Sequence, residues 1–236
     1  MDSTVPLLVL PGHLCNGLLF TNQITHLNDV AEFTVADLYG ADSVQELASH
    51  AIRSMTDRFA ILANSMGGSV AFEIMRQNSE RVIGLALVGT TARPEWPAQN
   101  ARRQPAAKLA AEGKFAAVAE MYAPVFFHPA RTQNGAHVRT LELMIAEAGY
   151  VGLQNQQAAF SDRPDSRSDL KIINCPTLVL CGRDDIITPP EMSEEIASGI
   201  QGAQLMFLDT CGHIPMLEWP NLTTDVLRKW IKELQN

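Results

Sequence analysis

Ser65 lies within residues 58–75, RFAILANSMGGSVAFEIM, where two sequence patterns meet. Phe59-Ala60-Ile61-Leu62-Ala63 is a nearly unbroken apolar run, the kind a strand shows when a parallel sheet buries both its faces. Val70, Ala71, Ile74 and Met75 then recur at helical spacing. Asn64-Ser65-Met66-Gly67-Gly68 leaves room between them only for a very tight turn with a hydroxyl at its apex. Two glycines after Ser65 let the backbone bend and let the helix approach the sheet closely. The Ser65 hydroxyl and the Met66 amide then point away from the sheet at a helix N-terminus, which suits a nucleophile whose product is an oxyanion. The same residues also suit a serine that merely caps the helix.

A serine hydroxyl is a poor nucleophile until a base takes its proton, and the base needs a third group to hold its tautomer. His213, in Leu208-Asp209-Thr210-Cys211-Gly212-His213-Ile214-Pro215, follows directly on the apolar run 204–208 and is the candidate base. Of the other histidines, His26 and His50 fall in helical patterns and His128 and His137 in a helix-rich middle segment; all four read as structural or exposed. Asp184 and Asp185 follow the apolar run 177–181, and Asp209 stands four residues before His213.

These groups meet only if the elements before them are parallel neighbours. Residues 7–10, 33–38, 59–63, 82–88, 177–181 and 204–208 read as strands. Residues 18–27, 43–55, 191–200 and 222–234 read as helices, the second opened by a Ser43/Glu46 capping box. Strands alternating with helices imply an α/β fold with a doubly wound, mostly parallel sheet of about six strands. From 91 to 170 the alternation stops. Helices are expected at 101–112, 115–123, 136–148 and 151–160, punctuated by Pro94, Pro97, Pro124, Pro129 and Pro164. A helical insertion after a strand's C-terminal end is expected to form a cap over the pocket, with residues 1–90 and 171–236 as the core.

Composition bounds the function. The 236 residues are 46% apolar and 19% charged, as in an ordinary globular protein, with a net charge of −8 and no basic patch, so nucleic acid and anionic membrane surfaces are poor partners. Cys15, Cys175, Cys181 and Cys211 are scattered without a metal-ligand or CxxC spacing and read as free thiols. The first residues lack a basic, apolar leader and no run approaches membrane-spanning length, so a cytoplasmic location is expected.

Ala63-Asn64-Ser65-Met66-Gly67 resembles the Gly-x-Ser-x-Gly nucleophile elbow of the α/β-hydrolases, with Ala63 in place of the first glycine. Gly212-His213, with Glu218 and Pro220 following, resembles the family's histidine loop. Gly182-Arg183-Asp184-Asp185-Ile186-Ile187-Thr188-Pro189 resembles its Gly-x-x-Asp-x-x-x-Pro turn. The motifs follow in the family's order and the resemblance covers almost the whole chain, whose first strand matches the third strand of full-length members, without the leading edge strands. The resemblance implies Ser65 as nucleophile, His213 as base and Asp185 as the orienting acid, leaving Asp184 to pair with Arg183 or cap a turn. It also implies an oxyanion hole from the amides of Met66 and of His13, in Pro11-Gly12-His13 after the first strand, with the His13 side chain as a pocket wall.

The activity so implied is that of a small carboxylesterase, similar to pimeloyl-carrier-protein methyl ester esterases and enol-lactonases, acting on a small-molecule ester with no metal or organic cofactor. Serine at the elbow argues against the branches that use a carboxylate nucleophile. Met121, Tyr122, Phe126, Phe127, Met144 and Phe160 suit an apolar acyl or alcohol group, or equally the packing of the cap onto the core. Other serine chemistry (C–C or thioester hydrolysis, acyl transfer, perhydrolysis) and slow-turnover ligand binding are the alternatives.

Overall fold

Four of the apolar runs have no polar face to offer water, and they occupy the centre of a single sheet. In the computed structural model, which describes residues 4–55, 57–95 and 97–235, these are β1 (Val5–Leu10), β3 (Phe59–Asn64), β4 (Val82–Val88) and β5 (Thr177–Gly182). β2 (Ala31–Val35) and β6 (Gln204–Leu208) form the half-exposed edges. The order is β2-β1-β3-β4-β5-β6 and every pairing is parallel.

Side chains alternate across each strand, so each strand feeds two cores. Leu7, Val9, Ala60 and Leu62 pack on one side with Leu27 of α1 (Thr21–Leu27) and Leu227, Trp230 and Ile231 of α9 (Pro220–Glu233). Leu8, Leu10, Ile61 and Ala63 pack on the other with α2 (Val44–Ala51), α3 (Met66–Asn78) and Ile196 of α7 (Pro190–Gly199). The chain leaves β1 toward one edge and returns at β3 on its other side, so the strand order reverses between β1 and β3. In open α/β sheets this is where ligands bind.

Among the described residues, three α-helices lie between β4 and β5: α4 (Pro97–Ala111), α5 (Phe115–Phe126) and α6 (Gly135–Ser161). The expected break between two helices near residue 150 is a kink inside α6, where Gly149 adopts φ 62° and ψ −171°. α5 continues past Pro124, where the sequence reading ended it; burial of Phe126 and Phe127 outweighs the one helical hydrogen bond the proline removes. β2 begins two residues earlier than expected and ends at Val35, because its register with β1 runs from Val5–Ala31 to Val9–Val35. The helix expected at 18–27 opens as a 3-10 turn, Gly17–Phe20, and the one expected to reach 55 ends at Ala51. Among the described residues no helix is long and apolar enough to cross a membrane; residues 1–3, part of the leader reading, lie outside them.

Candidate active site

One residue, Ser65, joins β3 to α3, and it carries the turn's strain. Its φ of 52° and ψ of −117° lie outside the regions open to most non-glycine residues. The surroundings hold it there: Ser65 N–H donates to Val88 O (2.9 Å), and Ser65 O accepts from Gly68 N–H (2.9 Å) and the Thr90 hydroxyl (2.7 Å). Both following glycines are required by close approach. A Cβ at Gly67 would lie 2.1 Å from Leu10 O, and one at Gly68 2.2 Å from Thr90 Oγ1. The Ser65 hydroxyl makes no capping bond to α3; it lies 2.9 Å from His213 Nε2. The capping alternative therefore does not describe this serine.

His213 follows β6 in the loop that leads to the single turn α8 (Pro215–Glu218). Its Nδ1 lies 2.8 Å from Asp185 Oδ2, in the loop after β5. Asp185 Oδ1 accepts the N–H groups of Ile187 (2.9 Å) and Thr188 (3.0 Å), and the Thr188 hydroxyl donates to Oδ2 (2.8 Å). Burial acts to raise the Asp185 carboxyl, but the His213 charge, the His213 hydrogen bond and the Thr188 bonds outweigh it, so its pKa lies below the ordinary value. The two loops touch: a Cβ at Gly182 would lie 2.0 Å from Gly212 O.

The rival acids lie elsewhere. Asp184 Oδ2 is 3.8 Å from His128 Nε2 with its side chain half exposed. Arg183 pairs with Asp209 (2.7 Å) on the surface and not with Asp184.

Met66 opens α3, so its N–H belongs to the first turn, whose amides have no intrahelical acceptor. The loop carrying His13 rests on the serine turn, since a Cβ at Gly12 would lie 2.7 Å from Asn64 Oδ1 and 3.1 Å from Ser65 Cβ. Burial, reinforced by the charge of Arg103, lowers the His13 imidazole to about 3, so it is neutral at physiological pH. A file of rings runs from His213 to Phe126 (5.6 Å between centroids), Tyr122 (5.1 Å) and His13 (6.1 Å). Phe126, Phe127 and Met144 are all buried in the same core, and Met121 is exposed.

Three contributors have no role assigned from the sequence. Thr188 completes the Asp185 turn, and the Asp-x-x-Thr spacing was its only signal. Gly89, at φ 52°, leaves room for His213 and Asp185: a Cβ there would lie 3.0 Å from His213 O. Glu218 accepts the N–H groups of Gly212 and His128, each at 2.7 Å, and so ties the histidine loop to the segment after α5. Surface depressions of about 460 and 400 Å³ lie away from Ser65, one bordered by Leu18, Leu143 and Leu217, the other by Arg58, Ile83 and Asn174.

A sequence model of the alpha/beta hydrolase family matches residues 5–223. The pimeloyl-[acyl-carrier protein] methyl ester esterase of Nitrosomonas europaea is 24% identical over 241 residues, covering 91% of this chain and 90% of that protein. Epoxide hydrolase EphH of Mycobacterium tuberculosis is 27% identical over 73% of this chain and 86% of its own. Among solved structures, a thermophilic esterase from Thermogutta terrifontis with malate bound superposes with a TM-score of 0.88 at 27% identity, covering 100% of this chain and 92% of that one. With its six-stranded parallel sheet and the serine turn at the strand-order reversal, the chain is a hydrolase of the alpha/beta hydrolase family.

Proposed function

We propose that the protein is a serine carboxylesterase acting on esters of small-to-medium acyl groups. The observation that carries this reading is the pair of contacts through one imidazole, Ser65 Oγ to His213 Nε2 at 2.9 Å and His213 Nδ1 to Asp185 Oδ2 at 2.8 Å, built on a strained serine. His213 takes the Ser65 proton as Oγ attacks the ester carbonyl, and Asp185 holds Nδ1–H and balances the imidazolium that forms. The Met66 and His13 amides stabilise the oxyanion. The alcohol leaves with the proton from His213, and water, deprotonated by the same imidazole, releases the acid. Helices α4–α6 serve as the cap, and Phe126 and Tyr122 form its wall over the reacting carbon.

Similarity to an epoxide hydrolase raises a different chemistry, and the elbow residue weighs against it here. A serine yields an acyl-enzyme from an ester. The carboxylate nucleophile of the epoxide-opening branch has no counterpart at position 65. Hydrolysis of p-nitrophenyl acetate, butyrate and octanoate by wild type and Ser65→Ala tests the proposal. A drop of about a thousandfold or more in the variant is expected; equal rates would overturn it.

A further inference from the structure

A backbone amide can stabilise a developing charge only if its loop is held still, and the loop after β1 is built on an unfavourable conformation. Cys15 N–H donates to Gly12 O (3.1 Å), closing a turn with His13 and Leu14 at its centre. Leu14 has a φ of 58°, while His13 is not among the residues with positive φ. That combination marks a type II turn, whose third position glycine or asparagine normally fills because a larger side chain crowds the backbone there. The turn also rests on the nucleophile, since a Cβ at Gly12 would lie 3.1 Å from Ser65 Cβ. A backbone that relaxes at Leu14 therefore moves the His13 amide relative to Ser65.

The peptide between His13 and Leu14 is held at both ends. Leu14 N–H donates to Gln156 Oε1 (2.8 Å), and His13 O accepts from the Cys15 thiol (3.4 Å). Gln156 belongs to α6, beyond the kink at Gly149, and is 0% exposed. Its orientation is fixed: Nε2 donates to Leu38 O (3.2 Å), which leaves Oε1 as the acceptor facing Leu14. In the commoner type I turn this peptide is rotated by about half a turn, which would set the His13 carbonyl against Gln156 Oε1, acceptor against acceptor. Gln156 thus selects the strained form. Its neighbour Asn155 fastens the same helix elsewhere, donating to Tyr39 O (2.8 Å).

We propose that Gln156 is a positioning residue for the reaction: from the inserted helix α6 it locks the His13–Leu14 turn in the form that presents the His13 amide to the oxyanion. This rests on the esterase reading of Ser65 and adds to it a support of the oxyanion hole supplied by α6. The oxyanion exists only after Ser65 Oγ has added to the carbonyl, so loss of Gln156 lowers kcat and leaves KM nearly unchanged.

The test uses p-nitrophenyl butyrate as substrate and heptyl trifluoromethyl ketone as inhibitor. The ketone carbon takes Ser65 Oγ while His213 takes the proton, leaving a tetrahedral oxyanion. Gln156→Met, of similar length but without the acceptor, should lower kcat about ten- to hundredfold and weaken the ketone's Ki by a similar factor, with KM within about threefold of wild type. Asn155→Ala, which loosens the same helix without touching the turn, should lower Tm while kcat and Ki stay within about twofold. Wild-type kcat and Ki in Gln156→Met, or an equal loss in Asn155→Ala, overturns the proposal. If Gln156→Met does not fold, Gln156→Glu decides. Its neutral carboxyl keeps both bonds and its ionised form cannot donate to Leu38, so its kcat relative to wild type should fall as pH rises from about 6 to about 9; a constant ratio overturns the proposal. If wild type neither hydrolyses the ester nor binds the ketone, the esterase reading falls and this role with it. If wild type does both and Gln156→Met matches it, only the role of Gln156 falls.

Discussion

At the scale of single residues, the site depends on a buried carboxylate kept ionised. Asp185 is 2% exposed, yet it receives two backbone N–H groups, the Thr188 hydroxyl and the imidazole, so its pKa is depressed. A depressed carboxyl contributes stability that is fully present above its unfolded pKa, near 3.9, and is lost as pH falls through the lower folded value. Asp185→Asn should therefore lose stability by a constant amount above about pH 5, with the gap to wild type narrowing below about pH 4. Urea denaturation across that range measures it; a gap that widens toward acid would contradict the assignment. The same variant should lower kcat/KM by about three to four orders of magnitude, since the amide neither holds the productive tautomer nor balances the imidazolium.

At the scale of elements, the serine turn is a junction with almost no spare volume. Gly67 lets α3 start against the carbonyl of Leu10, and Gly68 lets it pass Thr90. Gly67→Ala should push α3 off the end of β1, abolish activity and lower Tm by several degrees, measured by calorimetry alongside the esterase assay. Ala63 differs: its side chain lies within the buried face of β3 and the strand conformation suits any L-residue. Ala63→Gly should retain activity and cost about 0.5–1 kcal/mol through backbone entropy, plus about 0.8 kcal/mol for the buried methyl group it removes. Complete loss would mean that the methyl group has a role in the turn.

At the scale of the whole molecule, one carboxylate links the helical insertion to the sheet. Glu218 holds Gly212 with one oxygen and His128 with the other, while His213 N–H donates to Phe126 O (2.8 Å). Burial raises the Glu218 carboxyl despite these bonds, whose first contributors are the His128 and Gly212 amides. Glutamine has a single acceptor oxygen, so Glu218→Gln leaves one N–H facing an amide NH₂. The expected cost is about 1–3 kcal/mol in urea denaturation, with a parallel loss of kcat as the histidine loop loosens. No stability change would show that the link is dispensable.

Local pattern was sufficient for much of this. Apolar runs too continuous to face water marked the four central strands, and glycines beside a serine marked the sharp turn, because both follow from burial and backbone sterics within a few residues. Edges were read less well: β2 is placed by its register with β1, and α5 passes Pro124 because Phe126 is buried, and neither fact is local. Motif order singled out Asp185, but the physical separation of Asp184, Asp185 and Asp209 is a matter of which loops meet. Asp184 faces His128, Asp209 is held by Arg183, and Asp185 alone lies against His213. His13 and Tyr122 were each singled out from their own stretch of sequence, but nothing local says that they meet. Their rings stand 6.1 Å apart because α5 packs against the loop after β1, and only the tertiary structure decides that.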